Sequence, residues 1–408
     1  MKNMYIKRAW CRTFQFGMKI GDYFVPYHMP KYISGAGSIE KLPGILKKKH
    51  LKNIMLVTDN NLMELGVTNS FLEGCKKKKI KVTVFSDVCP NPTDEVVEAG
   101  YKLFKANKCR GIIAIGGGSP MDCAKAIACK RVHPKKKVAD FCGLFKVLWP
   151  IGPFWAVPTT SGTGSETTLA AVITEASTRH KAAIMDPFIL PNRAVLDPAL
   201  SKSMTPFQTV TTGMDALCHA VEAYTNATYN TKLENDLAKK AVKLIYENIV
   251  KAYYNGNDME ARENMQLASF YAGRAFTRGC TGYVHAIGHT ISGLYDVPHG
   301  HAMAVILPRV MEQFGEPAYK KLAELADYSG LTADRGIANA SDEAKSKLFI
   351  KWMDETLIKC QVPTRFDCIL ERDIPQMIRW ADKEANPLYP VPVIWGDADF
   401  RKLINKLR

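Results

Sequence analysis

Hydrophobic residues in the first half of the chain come in short runs, separated by stretches where apolar positions recur every three or four residues. The run Ile54-Met55-Leu56-Val57 predicts a buried strand that ends at Thr58-Asp59 and leads into a helical pattern from about Leu62 to Cys75. A second strand is predicted from Val82 to Phe85, followed by a turn over Pro90, Asn91 and Pro92. The next helix spans Thr93 to Asn107, with Thr93 as N-cap and two acids in its first turn. A third strand, Gly111 to Ile115, runs straight into three glycines. Strands alternating with helices of this length predict βαβ units and a parallel sheet.

After about residue 205 the pattern changes. Amphipathic helical periodicity covers Thr209 to Tyr224, Lys232 to Tyr254, Met259 to Ala275, Ala318 to Ser329 and Asp342 to Lys359. Few alternating β-branched runs remain. The expected fold is an α/β, Rossmann-like domain over 1–205 and an all-helical domain over 206–408, with a cleft between them. Residues 1–25 form a basic extension of the first domain. Interfaces between domains are common ligand sites.

Composition adjusts this picture only a little. A chain of 408 residues, 47% hydrophobic and 23% charged, suits a globular protein of two or three domains. No apolar run reaches the roughly 18 residues needed to span a bilayer, so no membrane partner is expected. The first 20 residues carry Lys2, Lys7, Arg8, Arg12 and Lys19 but no apolar core of a secretory signal, and they lack the serines of a transit peptide. The eleven cysteines are scattered, with no C-x-x-C, which reads as reduced thiols in a cytoplasmic protein and not as a zinc site. The net charge of +15 gathers in lysine runs at 47–49, 76–79 and 135–137. These lie far apart without interleaved aromatics, so they read as solvated helix ends and loops, and no specific nucleic-acid partner is expected.

Candidate chemistry begins at the glycines. In Gly116-Gly117-Gly118-Ser119-Pro120-Met121-Asp122 a strand gives way to a helix, with Ser119 placed as N-cap, Pro120 at the first helical position and Asp122 completing a capping box. Bare backbone N–H groups at a helix start can face a phosphate. A second loop, Thr159 to Glu166, offers several hydroxyls and two glycines before another expected helix. Two such loops at successive strand ends suit a dinucleotide. Asp59, ending the first strand, can accept hydrogen bonds from a ribose 2′-OH and would repel a 2′-phosphate, which favours NAD. Asp59 as a simple loop cap is the competing reading.

Five of the nine histidines fall between residues 219 and 301. Asp215 and His219 are one helical turn apart, as are His285 and His289, and His299 follows beside Pro298 and Gly300. A carboxylate and several imidazoles converging from helices can hold a divalent cation, which polarises a carbonyl oxygen or stabilises an alkoxide. Joined to a dinucleotide site, that capacity points to hydride transfer rather than hydrolysis.

These segments resemble the iron-containing (group III) alcohol dehydrogenases of the dehydroquinate-synthase-like superfamily. The similarity lies in G-G-G-S-P-M-D at 116–122, P-T-T-S-G-T-G-S-E at 158–166, G-M-D-A-L-C-H-A-V-E-A-Y at 213–224, and G-Y-V-H-A-I-G-H-T at 282–290 followed by Y-D-V-P-H-G-H-A at 295–302. The resemblance implies hydride exchange between NAD(H) and a small primary alcohol or aldehyde, in a chain working as a homodimer. It implies metal ligands Asp215, His219, His285 and His299, with Fe²⁺ in the cell and Zn²⁺ able to replace it. By the same resemblance His289 is a non-ligand histidine near the nicotinamide that relays a proton. Gly117, Gly118, Ser119 and Asp122 correspond to the pyrophosphate loop, Thr159, Thr160 and Ser165 to the second cofactor loop, and Lys181 to a lysine near the ribose. Phe276 and Ala170 correspond to the substrate pocket, which Ala170 and Ala171 leave roomy. His301, an extra imidazole, is expected to point to solvent. Alternatives are a zinc-dependent glycerol-type polyol dehydrogenase, a dehydroquinate-synthase-like lyase, or a basic scaffold protein on the same fold.

Overall fold

The computed structural model describes residues 2–25, 27–177, 181–226 and 228–408. Six strands form one all-parallel sheet: β1 (Lys31–Ser34), β2 (Asn53–Val57), β3 (Lys81–Phe85), β4 (Gly111–Gly116), β6 (Phe154–Pro158) and β9 (Arg193–Leu196), in the order β1-β9-β6-β4-β2-β3. A smaller sheet holds β5 (Gly143–Leu144), β8 (Lys181–Met185) and β7 (Ala170–Thr174), with β7 and β8 antiparallel.

The pleat explains the short apolar runs. Successive side chains of a strand point to opposite faces, and this sheet is covered on both. Met55, Val57, Ile112, Ala114, Phe154 and Ala156 enter one core, while Ile54, Leu56, Ile113, Ile115, Trp155 and Val157 enter the other. Helices Asp94–Ala106 and Gly118–Val132 contribute Val97, Phe104, Met121 and Ile127 to the first core. Helices Leu42–Lys48 and Asn69–Lys77 contribute Leu42, Leu46, Phe71 and Cys75 to the second. A strand buried on both faces reads as a continuous hydrophobic run, which is the signature of a parallel sheet.

Two expectations fail locally. The helix expected from Leu62 to Cys75 is two pieces, Asn60–Glu64 and Asn69–Lys77. Between them Gly66 adopts φ +69°, a left-handed conformation that ends the first piece. The helix expected after the second loop is a single 3-10 turn, Ser165–Thr167, leading into β7. The Val-Ile-Thr stretch there favours an extended ladder with β8 over a helix.

Residues 26–204 form one unit, and residues 205–408 form the other together with 1–25. The basic extension therefore groups with the helical half, not with the α/β half to which the sequence reading assigned it. Its first 22 residues include a helix, Lys2–Asp22, held by residues far along the chain. Arg12 donates to the carbonyls of Val391 and Pro392, Gln15 to those of Pro387 and Tyr389, and Lys7 pairs with Asp382. Elsewhere in this unit the helices Pro206–Thr225, Lys232–Tyr254, Met259–Gly279, Tyr283–Tyr295 and His299–Phe314 share one apolar core. Thr205 and Gln208 start the first of these with a reciprocal capping box, and Pro206 occupies its first position. No helix among the described residues is long and apolar enough to cross a membrane.

Candidate active site

In the helical unit, Asp215 and His219 lie one turn apart on helix Pro206–Thr225, and both are buried. His285 is in the first turn of helix Tyr283–Tyr295, and His299 opens helix His299–Phe314 immediately after Pro298. Oδ1 of Asp215 lies 4.0 Å from Nε2 of His219, 3.7 Å from Nε2 of His285 and 3.5 Å from Nε2 of His299. Nε2 of His285 and of His219 are 2.9 Å apart. Donor atoms around a four-coordinate cation, with bonds of about 2.1 Å, stand ~3.4 Å from one another, so Asp215, His285 and His299 group closely enough for one ion, with His219 at the edge of that group.

Two further observations support that fit. Oδ1 of Asp215 is buried and takes no hydrogen bond, a costly state for a carboxylate unless a cation faces it. The donor set, one carboxylate and three imidazoles, matches divalent iron or zinc. Burial pushes the Asp215 carboxyl up, but His219, His299 and His285 outweigh it and hold the group below the usual carboxylate range. Burial pushes His299 down, and the neighbouring imidazoles add to this against the pull of Asp215. Both directions leave these two groups deprotonated, as metal binding requires. Burial pushes His285 down, but Cys218, Glu222 and Asp215 outweigh it and hold that imidazole above its usual value.

Sequence reasoning missed the groups behind these ligands. Oε2 of Glu222 is 2.6 Å from Nδ1 of His285, and Oε1 accepts from the backbone N–H of Val284. That carboxylate fixes the ring so that Nε2 points at Asp215. Cys218 also approaches His285 Nδ1, at 3.7 Å. Cys218, Glu222 and His285 are close enough to suggest a second cation site. Glu222, however, has both oxygens engaged, and the His285 nitrogen on that side carries its hydrogen bond. The one hint in the sequence was the spacing of Glu222, three residues after His219 and so on a neighbouring part of the same helix surface.

His289 is one turn beyond His285 and does not join the carboxylate. Its ring stacks on that of His299 at 5.2 Å, and its Nδ1 is 2.8 Å from Oε1 of Glu384, which also accepts from the Tyr389 hydroxyl. Burial pushes Glu384 up, but His289 outweighs it and holds the carboxyl below its usual value. Nothing in the sequence pointed to Glu384. Phe276, on helix Met259–Gly279, stacks on the His219 ring with centroids 4.1 Å apart. His301 is not directed to solvent as expected: it hydrogen-bonds the Pro363 carbonyl and packs between Phe207 and Phe366.

In the α/β unit, β4 ends at Gly116, Gly117 is the N-cap of helix Gly118–Val132, and no side chain caps that helix. Ser119 is therefore inside the first turn and not the cap, because Gly118 already has helical geometry. The open N–H groups at this end can receive an anion. A Cβ on Gly118 would come within 3.0 Å of the Thr163 side chain, so glycine permits the second loop to lie against the first. Asp122 does not close a capping box. Its carboxylate accepts from the Ser165 hydroxyl at 2.8 Å and from the Val172 N–H at 2.9 Å. Lys125, fully buried, donates to Ser165, Thr168 and the Ala170 carbonyl. Asp122 and Lys125 thereby fasten the second loop to the helix of the first, and Ser165 is spent between them.

Of the remaining residues, Thr159 is buried and Thr160 half-buried at the end of β6, while Ala170 and Lys181 open β7 and β8. Asp59 follows β2, where its Oδ1 accepts from the Leu62 N–H and caps helix Asn60–Glu64.

A parallel sheet of the nucleotide-binding type, in the same chain as a helical unit carrying one carboxylate and three imidazoles, meets the requirements of the metal-assisted dehydrogenases as a class. Comparison with known proteins narrows this. The sequence model described as "Iron-containing alcohol dehydrogenase" matches residues 30–198, and that of the "Fe-containing alcohol dehydrogenase family, C-terminal" matches 209–386. A 1,3-propanediol dehydrogenase of Citrobacter freundii is 36% identical over 90% of this chain and 93% of its own length. Alcohol dehydrogenase 4 of Schizosaccharomyces pombe is 34% identical over 89% of this chain and 86% of its own. The solved alcohol dehydrogenase from Oenococcus oeni superposes with a TM-score of 0.89 at 30% identity, covering 94% of this chain and all of its own. The chain belongs to the iron-containing alcohol dehydrogenase family and is an oxidoreductase acting as an alcohol dehydrogenase.

Proposed function

We propose that the protein exchanges a hydride between NAD(H) and a small primary alcohol or aldehyde, with one divalent cation held by Asp215, His219, His285 and His299. The convergence of three imidazole Nε2 atoms on the orphaned Asp215 oxygen carries this reading. Bound there, iron or zinc would supply Lewis acidity to the oxygen of the alcohol or aldehyde. Glu222 holds His285 in the orientation that ligation needs. Phe276 lines the ligand cluster with an apolar ring, which suits a short aliphatic substrate.

Gly117, Gly118 and Ser119 receive the pyrophosphate at the open helix end, with Thr159 and Thr160 in the adjoining loop. Asp122 and Ser165 act on the cofactor indirectly, by holding the two loops together. Lys181, near the ribose, and Ala170, in the substrate pocket, rest on family correspondence alone. Asp59 disfavours a 2′-phosphate, and the Bacillus methanolicus relative named an NAD-dependent methanol dehydrogenase, 37% identical over 71% of this chain, supports NAD. His289 accepts or returns the alcohol proton, with Glu384 stabilising the imidazolium. The free state of all eleven cysteines supports a reducing, cytoplasmic setting. The test is anaerobic NADH oxidation over a panel of aldehydes, with Fe²⁺, Zn²⁺ or no metal added. Metal-dependent turnover of short aldehydes supports the reading, and equal rates without metal overturn it.

A further inference from the structure

The covered side of helix Lys2–Asp22 is mixed in polarity, whereas its opposite side is apolar and exposed. The inward positions recur every three or four residues: Met4 against Gly396, Lys7 on Asp382, buried Cys11, Gln15 on the carbonyls of 387 and 389, and Asp22 on Arg278. On the opposite side stand Ile6, Trp10, Phe16 and Ile20, with Tyr5 at the edge and Tyr23 and Phe24 just past the helix end. Trp10 is 60% exposed and Phe16 64%. Arg8 and Lys19, both exposed, flank this apolar strip. No acid precedes Asp22, and that one is paired with Arg278.

We infer that this outward face lies on the surface of an anionic phospholipid bilayer. Apolar and aromatic side chains on one side, cations on the flank and no free acid are what a helix in the plane of an interface requires. Trp and Tyr suit the headgroup level because each has an apolar body and a polar tip. The chain's net charge of +15 adds long-range attraction to an anionic surface. Area argues against a second copy. A helix of 21 residues is about 30 Å long and about 10 Å wide, so its outward strip offers ~300 Å² where a stable interface takes about 800 Å² per partner. A bilayer imposes no such threshold, since apolar insertion and charge attraction act together. The contact is peripheral and reversible, and it needs no membrane-spanning helix.

The experiment is co-sedimentation of the full-length protein with phosphatidylcholine vesicles, with and without phosphatidylserine. The wild type should bind the phosphatidylserine vesicles and release them at high salt. Trp10→Ser with Phe16→Ser, and separately Arg8→Glu with Lys19→Glu, should each weaken binding by about tenfold while leaving dehydrogenase activity in solution unchanged. Absence of binding at low salt overturns the proposal. So does undiminished binding of the Trp10→Ser, Phe16→Ser variant, which would assign adsorption to the general positive charge. A dimer that dissociates in that variant, with no vesicle binding by the wild type, would assign the face to a second copy instead.

Discussion

The Glu222 carboxylate lies 2.6 Å from Nδ1 of His285, and the opposite nitrogen of that ring faces Asp215 at 3.7 Å. One imidazole thus joins a carboxylate that orients it to a cluster that uses it. Glu222→Gln keeps the shape but weakens this pairing. Metal affinity should fall by about 10- to 100-fold, read by titration with Fe²⁺ or Zn²⁺ and by metal content after dialysis. Unchanged affinity would show that the ring is oriented by packing alone.

The two histidines of helix Tyr283–Tyr295 should separate cleanly. His285→Ala, like His299→Ala, should deplete bound metal and activity together. His289→Ala should retain metal but lose about 100-fold or more in kcat, the usual scale of a lost general acid–base. Metal analysis beside steady-state rates distinguishes them. Depletion in His289→Ala as deep as in His285→Ala would mean the roles are wrongly divided.

Cofactor preference tests Asp59. Asp59→Gly should narrow or reverse the preference for NAD over NADP, measured as the ratio of kcat/KM values. Glycine is a tolerable N-cap, so the loss of the bond to Leu62 should cost only a few tenths of a kcal/mol. A wild type that already prefers NADPH would refute the placement.

Glu166 should make stability fall as pH rises. Its carboxyl is buried, and Oε1 takes no hydrogen bond. Burial pushes it from 4.5 to about 7, against the pull of its own backbone N–H and of Lys125. A group that holds its proton more tightly when folded stabilises the fold fully below its unfolded value, and that contribution is lost as pH rises through the folded one. Glu166→Gln, which cannot ionise, should match wild type near pH 4. Near pH 8 it should be more stable by on the order of 3 kcal/mol. Thermal unfolding at the two values checks this, and a constant difference would contradict it.

Much of this molecule was legible because its signals are local. A strand buried on both faces shows itself as an unbroken apolar run, as in 54–57 and 111–115, and ligands at i, i+4 reveal a shared helix face. What escaped depends on distance along the chain. Asp122 looked like a cap for its own helix, yet its partners are 43 and 50 residues away. Glu384 meets His289 across 95 residues, and no periodicity encodes such a meeting. Helix Lys2–Asp22 was obscured for another reason: Lys7, Gln15 and Asp22 face inward while Ile6, Trp10, Phe16 and Ile20 are exposed, the reverse of the pattern by which amphipathic helices are recognised.

The bonds from Lys7, Arg12 and Gln15 to residues 382–395 have a consequence for the order of events on the ribosome. They join positions more than 370 residues apart, so the earliest-made helix must wait, undocked, until almost the last segment has emerged. The α/β unit has no such delay, since residues 26–204 contain both of its cores. Synthesis at roughly 5 to 20 residues per second leaves that helix exposed for tens of seconds. During that interval Lys7, Arg12 and Gln15 lack their partners, and the apolar outward side is open to nascent-chain chaperones.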